Sequence, residues 1–189
     1  MLIADAGPIG IMAIPVVRHA GARHVVITDL NPYRLDLARK VGATLAVNPR
    51  DTALQEVQKQ LGIAEGFDVG LEVSGNAQAL RDMIANMSLG GKIAILGIPP
   101  NEIHIDWRQV GDLQHADHQS HLRPRNVLDM VQDVGHARIR RRHRPVITHR
   151  FPYHEFQKDF APMLSGQTGK VILDWSSDQW QVASGECGE

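Results

Sequence analysis

Near the start of the chain, Asp5, Ala6, Gly7, Pro8, Ile9 and Gly10 separate a short apolar run from a longer one. Gly7 and Gly10 stand where the second and third glycines of the G-x-G-x-x-G dinucleotide fingerprint belong, between a first strand and a first helix. Gly7 would let the backbone approach a pyrophosphate, and Gly10 would let helix and strand pack closely. The helix start would offer free amides and a positive dipole to the anion. Asp29 ends the next apolar run, where a carboxylate can accept both ribose hydroxyls and repel a 2′-phosphate, so the pattern points to NAD rather than NADP. The competing reading gives the two glycines only a tight turn and Asp29 only a helix cap.

Asp5 breaks the fingerprint. It takes the place of the first glycine, whose task is the turn, and adds a negative charge where the pyrophosphate would lie. At about 5 Å and an effective dielectric near 20, each like-charge pair costs about 3 kcal/mol, less if the side chain swings into water. Weakened NAD binding is the expectation. Pro15 is a second irregularity, since it falls inside the first expected helix and removes a hydrogen bond there, at roughly 3 kcal/mol if uncompensated.

These residues need a frame, and the periodicity supplies one. Strands are expected over Met1 to Ala4, His24 to Asp29, Thr44 to Asn48, Phe67 to Val73 and Lys92 to Gly97. Helices fit Pro8 to Ala20, a segment from Asn31 (cap) and Pro32 to Gly42, Thr52 to Leu61 with Thr52 and Gln55 as a capping box, and Ala77 to Met87. Five strands alternating with four helices define an α/β fold, a doubly wound Rossmann-like parallel sheet with helices on both faces. Leu96, Gly97 and Ile98 would end the fifth strand, and Val73, Ser74 and Gly75 the fourth, at the carboxyl edge where such sheets bind ligands.

Composition narrows the partners. In 189 residues, 20 Lys and Arg balance 21 Asp and Glu for a formal charge of -1, so no global basic field holds nucleic acid or an anionic membrane. The lone Cys187 excludes an internal disulfide and a cysteine-built zinc site within these residues. No apolar stretch approaches the roughly 18 residues of a membrane span, and a cytoplasmic location is expected. His115, His118 and His121, with His136 and His143, are spaced loosely enough to suggest a metal, but no recognisable acidic or cysteine ligand accompanies them. Five arginines between Arg138 and Arg144 read as a solvated charge run rather than a phosphate-binding surface.

The motifs GPIGIMAI, HVVITDLNPYRLDLARKVGAT, GFDVGLEVSG, GGKIAILGIPP, IDW, PVITHRF and SGQTGKVIL together resemble the L-threonine 3-dehydrogenases, zinc-dependent medium-chain dehydrogenases of the alcohol dehydrogenase type. The resemblance implies NAD contacts at Ile9, Asp29, Arg34, Leu96, Gly97 and Ile98, with Arg34 over the adenine. It further implies oxidation of L-threonine to 2-amino-3-ketobutyrate by hydride transfer to NAD, with zinc polarising the alcohol. Family zinc ligands sit in an N-terminal lobe that these residues do not include, so no catalytic or metal residue is assigned, and L-threonine is a partner only if that lobe is supplied. A homo-oligomer is implied as well.

Residues 1–110 are therefore read as the NAD-binding domain, 145–175 as a remnant packing on the absent lobe and 176–189 as a disordered tail. Residues 111–144 contain no Lys, no Glu and no aromatic, yet hold five of the ten histidines. Leu122 to Val134, written in one permitted set of codons and read one base later, becomes Tyr-Gly-Arg-Glu-Met-Phe-Trp-Thr-Trp-Tyr-Lys-Met, one residue away from the family's peptide there. This segment is read as a frame-shifted translation that removes the sixth strand, and with it cofactor closure and subunit pairing. The expected function is that of an incomplete oxidoreductase, inactive alone. The alternatives are a stand-alone NAD-binding module or a degenerate, non-catalytic gene product.

Overall fold

A computed structural model describes residues 1–99, 101–110, 115–117 and 141–176. Six parallel strands form one sheet: β1 (Leu2–Ala4), β2 (Val26–Thr28), β3 (Leu45–Val47), β4 (Phe67–Glu72), β5 (Met87–Ile95) and β6 (His115–Asp117). Their order is β3-β2-β1-β4-β5-β6, so the direction of winding reverses between β1 and β4. Reversal opens a crevice at the carboxyl ends of those two strands.

The helices cover both faces. Period-two alternation sends Ile3 to one face and Leu2 and Ala4 to the other. Ile3 joins Ile11 and Ile14 of α1 (Pro8–His19) and Leu35, Ala38 and Val41 of α2 (Pro32–Val41). Leu2 and Ala4 join Leu54 and Val57 of α3 (Leu54–Leu61) and Leu80, Met83 and Ile84 of α4 (Ala77–Ala85). Each fully buried aliphatic side chain contributes roughly 1.5–3 kcal/mol. A single turn, α5 (Trp107–Val110), follows β5. No described helix is long and apolar enough to cross a membrane.

Local signals held where the partner lay in the same turn. Asn31 accepts from the Tyr33 amide at 3.0 Å, Pro32 opens α2, and Gly42 ends it with φ 113°. Pro15 is buried inside a continuous α1. The Thr52–Gln55 capping box does not form: α3 starts at Leu54, and the Thr52 amide instead joins a turn closed by the Asn48 carbonyl. α4 stops at Ala85 and β5 begins at Met87, five residues before the expected Lys92. The Phe67 amide donates to the Asn86 carbonyl and Phe67 pairs with Met87, so β4 captures this stretch as strand.

Two domain-level expectations need correction. The sheet has six strands rather than five, because Lys92, Ile93 and Ala94 pair with His115, Ala116 and Asp117 inside the compositionally odd segment. Most of that segment, with His118, His121 and His136, and the tail from 177 onward lie outside the described residues. Nor does 145–175 lack a partner within this chain. It forms a second unit: β7 (Ile147–Pro152), α6 (Gln157–Leu164) and β8 (Lys170–Asp174), its strands parallel. Val146, 1% exposed, belongs to the Ile3–Leu37 core cluster, and the Asn31 side-chain amide donates to the Gly166 carbonyl at 2.8 Å.

That docking is testable. Val146→Ala is expected to cost about 2 kcal/mol of global stability in chemical denaturation; a loss below about 0.5 kcal/mol would mean the C-terminal unit does not share the core.

Candidate cofactor site

The β1–α1 turn starts from Asp5, the only described non-glycine residue with positive φ, at 86°. Its amide donates to the Thr28 carbonyl of β2 at 2.9 Å. The turn then doubles back so tightly that a Cβ on Gly10 would lie 2.0 Å from the Asp5 carbonyl oxygen. Glycine is therefore required at Gly10 by space, as its place in the fingerprint demands. The conformation of Asp5 is the one the first glycine would supply, and a β-carbon is held in it against a preference of roughly 1 kcal/mol.

The next amides are already engaged. Ala6 donates to Asp29 Oδ2 at 2.8 Å, and Gly7 donates to Asp5 Oδ2 at 3.1 Å. Pro8 has no N–H, which leaves Ile9 and Gly10 as the first-turn donors of α1. Ile9 is an exposed side chain in the first turn of α1. The Asp5 carboxylate thus holds one of the amides that a phosphate would seek.

Asp29 stands just beyond β2, its side chain 7% exposed. Oδ1 accepts from the Asn31 amide at 2.7 Å while Oδ2 takes Ala6. It is a turn cap and a ribose candidate at once, since each carboxylate oxygen keeps a further lone pair. Arg34 on α2 reaches both acids, Nη1 lying 3.6 Å from Asp5 Oδ1 and 3.8 Å from Asp29 Oδ2, while its buried Nε has no hydrogen-bond partner. It is therefore a counter-ion to two carboxylates here. Burial, then the hydrogen bond and charge of Asp29, push the Asp5 carboxyl up to about 6 against the opposing Gly7 amide and Arg34.

At the other side of the reversal, Leu96, Gly97 and Ile98 lie just past β5, which ends at Ile95. The Leu96 and Gly97 amides donate to the Glu72 carbonyl at 2.8 and 3.0 Å. Leu96 and Ile98 are exposed side chains at this edge. The Gly7, Ile9, Gly10, Asp29 and Arg34 group therefore gathers at the β1–β2 edge, and Leu96, Gly97 and Ile98 gather at the β4–β5 edge of the same crevice.

Sequence reasoning passed over two features. Glu72, 1% exposed at the end of β4, accepts hydrogen bonds from Ser74 and Gly75. A carboxylate in a strand buried on both faces must find donors, which was a usable signal. A cavity of about 280 Å³ also lies beside the turn, lined by Pro8, Phe156, Met163, Lys170, Val171 and Leu173. It forms only because the C-terminal unit docks near α1. Among the described residues no group of three His, Cys, Asp or Glu could hold a metal ion, so none of the described side chains forms a zinc site. His143 contacts the Met12 carbonyl through Nε2 at 2.8 Å.

Comparison with known proteins places the fold in a family. Residues 8–132 match the zinc-binding dehydrogenase family model. L-threonine 3-dehydrogenases from Solibacter usitatus and Coxiella burnetii are 52% and 50% identical over 183 residues, 93% of this chain. The chain spans about half the length of these curated relatives, 51% in each case. Among solved structures, an alcohol dehydrogenase from Thermotoga maritima superposes with a TM-score of 0.75 at 26% identity, covering 91% of this chain and 49% of that one. An E. coli CFT073 alcohol dehydrogenase solved with NADH gives 0.77 at 19% identity, covering 90% and 50%, a likeness of fold. This chain belongs to the zinc-binding dehydrogenase family.

Asp5 sets a stability prediction. Its folded-state carboxyl titrates above its ordinary value of 3.8, so its contribution is fully present below that value and is lost as pH rises through about 6. Asp5→Gly is expected to stabilise the protein by about 1 kcal/mol from relief of backbone strain, raising Tm by a few degrees. The gain should be larger at pH 7 than at pH 4. Equal gains at both pH values, measured by thermal denaturation, would contradict the buried-acid assignment.

Proposed function

We propose that this chain is the dinucleotide-binding part of an NAD-dependent L-threonine 3-dehydrogenase. The observation carrying this reading is the pairing of the Gly7–Gly10 turn, closed against the Asp5 carbonyl, with the Asp29 carboxylate at the end of β2. Gly7, Ile9 and Gly10 would face the pyrophosphate. Asp29 would accept from the adenosine ribose, Arg34 would lie over the adenine, and Leu96, Gly97 and Ile98 would line the nicotinamide half. Asp29 also argues for NAD over NADP, because a 2′-phosphate would meet a carboxylate. The about 50% identity to L-threonine 3-dehydrogenases supports L-threonine as the substrate once the missing lobe is supplied. The reaction moves a hydride from the carbinol carbon to NAD and releases the hydroxyl proton to solvent, leaving 2-amino-3-ketobutyrate and NADH. Zinc held by an N-terminal lobe that these residues do not include would polarise that alcohol.

Fluorescence or calorimetric titration with NAD checks this reading. The wild-type chain is expected to bind NAD weakly and Asp5→Gly to bind it about tenfold or more tightly, since one like-charge contact is worth about 3 kcal/mol before screening. Wild-type binding should also tighten as pH falls from 7.5 toward 5.5, because protonation removes the Asp5 charge, whereas Asp5→Asn should be flat across that range. Asp29→Ala should erode the preference for NAD over NADP. Absence of dinucleotide binding by Asp5→Gly at millimolar NAD would sink the proposal. Mixed with NAD, zinc and L-threonine, this chain alone is expected to give no reduced nicotinamide. We also read residues 111–144 as a frame-shifted translation; sequencing the coding DNA tests it, since the family peptide should stand in a neighbouring frame.

A further inference from the structure

Glu72 is the most deeply buried acid among the described residues, and no described Lys or Arg pairs with it. Its Oε1 accepts from the Ser74 amide at 2.8 Å, from the Ser74 hydroxyl through a short bond, and from the Gly75 amide at 3.1 Å. Oε2 lies 3.2 Å from the same Gly75 amide. A buried carboxylate costs heavily unless donors surround it, and here the donors come from the turn that follows its own strand.

That turn touches the next one. A Cβ on Gly75 would fall 2.5 Å from the Ile98 carbonyl oxygen. A Cβ on Gly97 would fall 2.1 Å from the Gly75 nitrogen and 2.4 Å from Glu72 Oε2. The segments after β4 and β5 are therefore in backbone contact through two glycines, with the Glu72 carboxylate beneath both. Its carbonyl holds the other side of the junction, accepting from Leu96 and Gly97. A dinucleotide lies across the point where strand order reverses, with its adenosine at the β2 end marked by Asp29; the opposite half rests over the β4–β5 edge.

We infer that Glu72 is a positioning residue that sets the nicotinamide half of the crevice by holding the Ser74–Gly75 turn against Gly97 and Ile98, an inference that rests on the dinucleotide reading above. The requirement is for an acceptor rather than for charge, because three of the four contacts converge on one oxygen. Glutamine can present that oxygen; leucine cannot.

Calorimetry with NAD and with AMP, in the Asp5→Gly background, separates the two halves of the site. Adding Glu72→Leu is expected to weaken NAD about tenfold or more while AMP changes by less than about threefold; Glu72→Gln should stay within about threefold of its parent for both. Amide exchange at Ser74 and Gly75 should quicken in the leucine variant. If that variant does not fold, Ser74→Ala, which removes one donor at an exposed position, should weaken NAD about threefold and leave AMP unchanged. NAD and AMP falling together, or NAD unchanged in the folded variants, would overturn the inference. Failure of the Asp5→Gly parent to bind either ligand would instead overturn the dinucleotide reading.

Discussion

The closeness of the β1–α1 turn governs this molecule. With its Cβ position filled by the Asp5 carbonyl, Gly10 lets helix α1 start directly against the edge of β1. That approach seats Ile11 and Ile14 in the same cluster as Ile3 and leaves the helix start at the sheet's carboxyl end. A larger residue at Gly10 would push helix from strand, opening the core and, on the proposed reading, the cradle for the phosphates together. The packing of α1 on β1 thus depends on one missing methyl group.

The same turn places charge unusually. Two carboxylates and one guanidinium occupy the β1–β2 edge, where the fingerprint would place glycine, carboxylate and ligand. Asp5 satisfies itself by capping Gly7, and Asp29 by capping Ala6 and Asn31. On the proposed dinucleotide reading, the free protein carries an internal carboxylate where the ligand's phosphate would lie. Arg34 neutralises part of it, at distances too long for a hydrogen bond and with Nε left unpaired. This edge is electrostatically frustrated, while the β4–β5 edge is satisfied, because every Glu72 contact is made within a few residues or across one neighbouring strand.

The C-terminal unit shows how a short segment can belong to a domain without joining its sheet. Among the described residues β7 and β8 pair only with each other, yet Val146 reaches the main core and Gly169 packs close to Leu37. Tyr153 stacks on Trp175 at 4.3 Å, joining the chain just past the carboxyl ends of the paired strands β7 and β8. Its position beside Pro8 creates the cavity next to the cofactor turn, with Met163 and Phe156 remaining exposed around it.

Features encoded within a few residues were legible in the amino-acid sequence. The Asn31 cap, Pro32 and Gly42 at the ends of α2, the alternation of Leu2, Ile3 and Ala4, and the position of Asp29 all follow from local conformational preference and periodicity. So did the flaw at Asp5, because a glycine-shaped turn can be expected from its neighbours before any coordinate is seen. Only the tertiary structure decided the start of β5 at Met87, the pairing of His115–Asp117 as a sixth strand, the docking of Val146, and the convergence of Ser74, Gly75, Gly97 and Ile98 on Glu72. Each depends on a partner distant in sequence, whose approach sets hydrogen bonds and burial that no local window contains.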